Sequence, residues 1–185
     1  MTTDTVARDG PIMIPAWVDG TLLPVEKLEA HQRGLKHKAV SVFVMWGDRL
    51  LIQQRAAGKY HTPDLWANTC CTHPHWGEDA ATCAIRRLND ELGVTGVPLT
   101  QRESIEYRAD VGQGLIEHEV AEVFVGQADG ALTVDPAPDE VQATRWAPLP
   151  ELMREIEANP DLFTPWIRIY LREHHARIFG PVETS

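Results

Sequence analysis

Ala39 to Trp46 is dominated by valine, phenylalanine and other apolar residues, and Arg49 to Gln54 carries a second such run just after Gly47-Asp48. Two apolar runs split by a Gly-Asp pair predict a β-hairpin. Upstream, Ile12 to Leu23 is cut into apolar pieces at Pro15 and Asp19-Gly20, with Pro24 beyond, which predicts a hairpin or paired short strands. Ala56 to Gly77 carries prolines, histidines and cysteines without periodicity and reads as a long loop, of the kind that is usually functional inside a compact domain. The period then changes. Ala81, Ala84, Ile85, Leu88 and Leu92 recur at spacings of three and four, which predicts a helix over Glu78 to Leu92 that stops at Gly93. Ile105 to Ala109 and Ile116 to Val125 read as strands joined by a turn at Val111 to Gly114, and Gln142 to Trp146 as another strand. Leu149 to Ala158 and Trp166 to Ile178 read as helices, the second opened by Thr164 as N-cap and Pro165 at the first helical position. This is an α+β pattern of mixed strands with helices packed against them. Residues 1–10 are polar and read as a disordered N-terminus, and 11–185 as a single domain.

Composition narrows what such a domain can do. Of 185 residues, Lys plus Arg number 17 and Asp plus Glu 27, a net charge of −10 that disfavours non-specific nucleic-acid binding. A local basic cluster for a phosphate ligand is still compatible with it. No apolar run approaches the roughly 18 residues that span a bilayer. The first ten residues lack the basic-then-apolar form of a signal peptide. Three cysteines, two of them adjacent at Cys70 and Cys71, do not make a disulfide framework, so the expected setting is reducing and cytoplasmic. No periodic apolar surface marks an obligate interface, and the expectation is a monomer or a weak homodimer.

The chemistry concentrates in three places. In the strand around residue 120, alternation puts Glu117 and Glu119 on one side with Ala121, Val123 and Val125. Two carboxylates on an apolar face are costly to bury without a cation, unless they sit at an exposed strand end. His73 lies two residues from Cys71, and His31 and His37 bracket a short segment before the first long strand. Three imidazoles and two carboxylates, if they meet, make a five-ligand site that favours Mn²⁺ or Mg²⁺, or Zn²⁺ with expanded coordination. On the predicted helix, Arg87 and Glu91 are four residues apart and share a face, which suits either a solvated ion pair or a cation beside a metal-binding carboxylate.

These residues also carry a family resemblance. Glu78-x7-Arg86-Arg87-Leu88-Asn89-Asp90-Glu91-Leu92-Gly93-Val94 resembles the Nudix box of diphosphate-processing enzymes. It departs from the hydrolase form at Arg87 and Asp90, where glutamates usually stand, and at Thr72, where a glycine usually stands. Those departures weaken a pyrophosphohydrolase reading. Asn68-x2-Cys71-x-His73-Pro74, Arg86-Arg87-x3-Glu91-Leu92-Gly93, Tyr107-Arg108-Ala109, Glu117-x-Glu119 and Phe163-x-Pro165-Trp166 together resemble the type I isopentenyl diphosphate isomerases, from about Lys27 to Trp166.

The resemblance implies a Nudix-like mixed β-sheet sandwiched by helices, and an enzyme that interconverts isopentenyl and dimethylallyl diphosphate. It implies Cys71 and Glu119 as the proton-transfer pair, with Tyr107 and Trp166 at the hydrocarbon end. His31, His37, His73, Glu117 and Glu119 would hold one divalent ion, Mn²⁺, Zn²⁺ or Mg²⁺. Glu91 would help hold a Mg²⁺ that bridges to the diphosphate, which Lys27, Arg55, Lys59 and Arg87 would meet. Cys70 matches no functional position and reads as a small buried residue. Two competing readings are a Nudix-type diphosphate hydrolase and a non-catalytic module that binds a metal or a prenyl diphosphate.

Overall fold

The computed structural model describes residues 10–130 and 132–180. The disorder expected of residues 1–10 therefore falls, but for Gly10, outside the described residues. The chain opens with the hairpin β1 (Met13–Val18) and β2 (Thr21–Glu26), followed by a short helix α1 (Lys27–Gln32). Next come β3 (Lys36–Trp46), β4 (Arg49–Arg55), the short strands β5 (Trp66–Ala67) and β6 (Cys70–Thr72), and helix α2 (Ala80–Leu92). Strands β7 (Leu99–Gln101), β8 (Ile105–Asp110), β9 (Ile116–Gln127) and β10 (Val141–Pro148) precede α3 (Leu149–Ala158), α4 (Pro165–Glu173) and α5 (His175–Phe179). The strands form one mixed sheet with helices on both faces, as expected of the α+β class.

β3 organises that sheet. One edge is filled by β9, parallel and in register from Lys36 opposite His118 to Met45 opposite Gln127. The other edge is shared in turn by β1 at His37, β6 at Val40–Val42 and β4 at Met45–Trp46. β3 and β4 therefore part after two residue pairs, and the chain between residues 56 and 77 fills the wedge between them. Asn68 and Thr69 stitch it in place. The Asn68 amide donates to the carbonyls of Val42 and Cys70, both at 3.1 Å. The Thr69 hydroxyl donates to the Leu51 carbonyl and accepts from the Val44 amide. What reads as a loop by periodicity is thus partly strand, because its order comes from partners far away in sequence.

The pleat of β3 sorts its side chains between two cores. Ala39, Phe43 and Met45 join the core beneath α3 and α4, with Leu152, Ile156, Phe163 and Tyr170. Val40, Val42 and Val44 join Cys70, Cys83, Leu88 and Leu92 beneath α2. Cys70 is fully buried, as expected of a small core residue.

Several local expectations are corrected. The buried face of α2 is Cys83, Ala84, Leu88, Glu91 and Leu92, whereas Ile85 is 61% exposed and Ala81 is also exposed. The helix is turned so that Glu91 faces the sheet, which carries Ile85 about 100° away from Ala84. The α2 N-cap is Asp79, whose carboxylate accepts from the Thr82 amide at 2.9 Å, so the helix begins two residues after Glu78. The C-terminal helical segment is broken at His174 into α4 and α5. Thr164 is the N-cap of α4 and Pro165 its first residue, as expected, but the buried Thr164 hydroxyl makes no cap bond, and its amide donates to the Trp66 carbonyl.

Candidate active site

Strand register brings most of the expected residues together. His37 lies beside Glu119 in the parallel β3–β9 ladder, Tyr107 faces Glu119 in the antiparallel β8–β9 ladder, and Cys71 faces Ser41 in the β3–β6 ladder. Alternation along β9 puts Glu117 on the same face as Glu119, and each is only 2% exposed. They line one cleft together with Cys71, His73, Lys27, Arg55, Lys59, Arg87, Glu91 and Trp166.

Glu117 is the hub of the deepest part. Its Oε2 lies 3.1 Å from His31 Nε2, 3.5 Å from His37 Nε2 and 3.8 Å from His73 Nε2. Its other oxygen meets His61 Nε2 at 3.2 Å. The Nδ1 atoms of His31 and His37 lie 2.6 and 2.7 Å from the carbonyls of Lys27 and Leu35. A carbonyl can only accept, so each Nδ1 must be the donor and carries a hydrogen. In the neutral rings the Nε2 lone pairs then point at a buried carboxylate, and His37 Nε2 has no hydrogen-bond partner. Such an arrangement is repulsive unless a proton or a cation lies between. Ligand atoms of His31, His37, His73 and Glu117 all fall within 4.8 Å of one another. This three-histidine, one-carboxylate cluster fits a divalent metal ion.

Burial disfavours a charged His37, but the Glu117 and Glu119 carboxylates at 3.5 and 3.9 Å outweigh it and push its pKa up to about 10. Burial works against ionised Glu117 too, yet its four histidine partners hold it well below the usual carboxylate range. Glu119 borders the cluster, with Oε1 3.0 Å from His73 Nε2, and its Oε2 accepts a 2.6 Å hydrogen bond from the Tyr107 hydroxyl. The Cys71 thiol is raised well above its ordinary value by burial and by the charge on Glu119, so it rests protonated. Its Sγ lies 2.9 Å from Ser41 Oγ.

The other end of the cleft is cationic. The Arg87 guanidinium donates to Glu91 at 2.7 Å, and Lys59 is ion-paired with Glu140, which also lies 3.5 Å from Arg87. Gln53 reaches across from β4 to hold the second Glu91 oxygen at 2.9 Å. Burial first, and then Lys59 and Arg87, lower the pKa of Lys27 to about 8. Arg55 stacks over Trp166 at 5.4 Å and donates to the carbonyls of His61 and Thr62. Glu78 and Asp90 do not line the cleft: Glu78 is gripped by Arg86 at 2.7 and 2.8 Å, and the exposed Asp90 lies 3.6 Å from Arg86 and 3.9 Å from Arg87.

Four lining residues were not singled out from sequence: Gln53, Tyr60, His61 and Glu140. His61 lies in the histidine-bearing segment that reads as functional, which was a usable signal. Gln53 and Glu140 carry none, since each matters only through a partner brought in by the fold.

Known proteins converge on the same reading. The sequence matches the NUDIX domain family over residues 35–167. It is 66% identical over 170 residues to an isopentenyl-diphosphate Delta-isomerase of Cereibacter sphaeroides, covering 92% of this chain and 96% of that one. The chain belongs to the isopentenyl-diphosphate Delta-isomerase family. A member from Ruegeria pomeroyi is 58% identical, covering 92% of this chain and 94% of its own. The fold reaches further than this isomerase family. A Deinococcus radiodurans crystal structure superposes with a TM-score of 0.68 at 14% identity, over 86% of this chain and 97% of that one. A MutT NUDIX hydrolase from Burkholderia pseudomallei gives 0.57 at 22%, over 74% and 95%. Among the described residues, no helix is long and apolar enough to cross a membrane.

Proposed function

We propose that this chain interconverts isopentenyl diphosphate and dimethylallyl diphosphate, with residues 11–185 acting as one domain. The observation that carries the proposal is that Cys71 and the Tyr107-bound Glu119 line one cleft, between a cationic end and Trp166. The reaction adds a proton to the terminal carbon of the alkene and removes one from the neighbouring methylene. No electrons are exchanged, so no redox cofactor is required.

Each part of the cleft supports one requirement of that chemistry. Lys27, Arg55, Lys59 and Arg87 meet the diphosphate, with Arg supplying forked donors and Lys point charges. Binding there, remote from the reacting carbons, orients the alkene between the acid/base groups. Cys71 and Glu119 are those groups, one giving and one taking, with the Tyr107 hydroxyl holding the carboxylate. The tertiary carbocation between the two steps needs a dry site that still favours positive charge. The Trp166 face supplies about 2 kcal/mol toward a desolvated cation, and it already attracts the Arg55 guanidinium in this structure.

His31, His37, His73, Glu117 and Glu119 are proposed to hold one Mn²⁺, Zn²⁺ or Mg²⁺, and Glu91 a Mg²⁺ shared with the diphosphate. When bound, these ions supply positive charge that orders the buried carboxylates and helps neutralise the diphosphate. Only Glu91 of the α2 acids faces the cleft, and it is paired with Arg87, which disfavours diphosphate hydrolysis. All the assigned residues come from one chain, so a monomer or weak homodimer suffices, and a reducing cytoplasm keeps Cys71 as a thiol.

The test is deuterium incorporation into isopentenyl diphosphate in heavy water with Mg²⁺, followed by NMR. Cys71→Ala and Glu119→Gln should each abolish the exchange while leaving the fold intact. Phosphate release without double-bond migration would instead establish a hydrolase, and tight binding without exchange a non-catalytic module.

A further inference from the structure

The cationic end of the cleft holds a carboxylate that the proposed chemistry does not use. Glu140 lines it beside Lys27, Lys59 and Arg87. Its carboxylate is ion-paired with Lys59, and its Oε2 lies 3.5 Å from Arg87 Nη2. The backbone fixes it there. The Glu140 carbonyl accepts from the Ala56 amide at 3.0 Å, and the Ala56 carbonyl accepts from the Lys59 amide at 3.2 Å, so both partners are tied to one residue. Val141, next along the chain, pairs with Arg55 in the β10–β4 ladder. Burial works against a charged Glu140, but Lys59 and Arg87 outweigh it and hold its pKa below the ordinary carboxylate value, so it stays ionised.

An anion built into an anion site opposes the ligand. Arg87 is held without it, because the same Nη2 donates to Glu91 at 2.7 Å, and the turn from Ala56 sets the backbone of Lys59. At this end Lys27, Arg55, Lys59 and Arg87 face the carboxylates of Glu91 and Glu140, which leaves two positive charges in excess. A single terminal phosphate carries about −1.5 to −2 at neutral pH, and the second phosphoryl group of a diphosphate adds to it. The metal-free ligand therefore brings more negative charge than the excess cancels. Its Mg²⁺ complex, with two units of charge removed, does not.

We propose that Glu140 is a specificity-determining residue that admits the diphosphate as its Mg²⁺ complex and turns away the metal-free anion. This rests on the diphosphate assignment in the isomerase reading above. Glu140 differs in this from Glu91, the other carboxylate at this end. Glu91 has one oxygen on Arg87 and the other on Gln53, a neutral donor, whereas the Glu140 carboxylate is taken up by two cations that the diphosphate itself must meet. Diphosphate oxygens and the Glu140 carboxylate compete for Lys59 and Arg87, and the competition is lost by a ligand whose own charge is not partly met by an ion. A neutral side chain at 140 would leave three positive charges in excess, enough to accept the metal-free diphosphate.

The probe is inorganic pyrophosphate, titrated calorimetrically into the full chain as purified, once with Mg²⁺ withheld and once with Mg²⁺ in excess. The unaltered chain should bind it more tightly with Mg²⁺. Glu140→Gln keeps the shape of the side chain and loses only its charge. It should tighten Mg²⁺-free binding by about tenfold and leave binding of the Mg²⁺ complex nearly unchanged, so that the dependence on Mg²⁺ shrinks. Glu140→Asp, which keeps the charge, should retain that dependence. Weaker binding by Glu140→Gln under both conditions would make Glu140 an organiser of Lys59 and Arg87, and a loss confined to the Mg²⁺ condition would make it a ligand of the ion. Either result overturns the proposal, as does a Mg²⁺-free affinity that does not change. An unaltered chain that binds no pyrophosphate under either condition would overturn the diphosphate assignment, and the role of Glu140 with it.

Discussion

Tyr107 on β8 stands opposite Glu119 on β9 across one rung of the antiparallel ladder, and its hydroxyl donates a 2.6 Å hydrogen bond to the carboxylate. Both side chains are buried, so that bond is made where water cannot replace it. Tyr107→Phe keeps the ring against Tyr170 and loses only the hydroxyl. Steady-state kinetics should show kcat falling by about 10- to 100-fold with KM nearly unchanged, because the diphosphate end is untouched. A larger effect on KM than on kcat would contradict the role given to this hydroxyl.

Lys27 sets a pH limit. In the free cleft its pKa is lowered to about 8, chiefly by burial and then by Lys59 and Arg87. As pH rises through about 8 the ammonium is lost, and kcat/KM for a diphosphate substrate should fall. Lys27→Arg, charged throughout, should move that fall to higher pH. The stability effect has the opposite sense. The unfolded lysine stays protonated up to its ordinary 10.5, so between about 8 and 10.5 the unfolded state binds more protons and stability rises with pH. Below about 8 the cost of burying the charge is fully present. Urea melts across this range should show the rise, and Lys27→Met should flatten it.

The cluster around Glu117 should make stability depend on metal. His31, His37, His73 and Glu117 come from four separate segments of the chain, so an ion held among them ties those segments together. An ion present at about a hundred times its Kd contributes about 2.7 kcal/mol. Removal by chelation should therefore lower Tm by on the order of 5–10 °C. Glu117→Gln should abolish the difference between chelated and metal-loaded protein. Thermal melts with and without EDTA that coincide in the unaltered chain would sink the metal assignment.

Gly93 ends α2 at φ 62°, and a Cβ placed there would sit 3.0 Å from the Asp135 carbonyl oxygen. Both the backbone conformation and the neighbour oppose a side chain. Gly93→Ala should cost about 1–2 kcal/mol, a drop of about 2–8 °C in Tm for a chain of this size. Because Gly93 lines no part of the cleft, the folded fraction should retain its kcat.

Local pattern made much of this protein legible. The 3.6-residue period located α2, and Gly93 its end, because both are properties of one stretch of backbone. The two-residue period put Glu117 and Glu119 on the face of β9 that proves buried, because the pleat follows from consecutive residues alone. The motif order from Asn68 to Trp166 marks the family without any geometry. Even so, the period misplaced Ile85, since which stripe of α2 is buried depends on the turn of the helix that brings Glu91 to Gln53.

What only the tertiary structure decided is which of these residues meet. His31 from α1 and His73 beyond β6 reach Glu117 because β9 and β6 flank opposite edges of β3, an arrangement no single segment encodes. Gln53 and Glu140 read as ordinary strand or loop residues along the chain. They acquire their chemistry from partners up to 81 residues away, as Glu140 does from Lys59. Periodicity reports the local geometry of the backbone, whereas a site depends on the register between distant strands, and that register is settled when the whole sheet assembles.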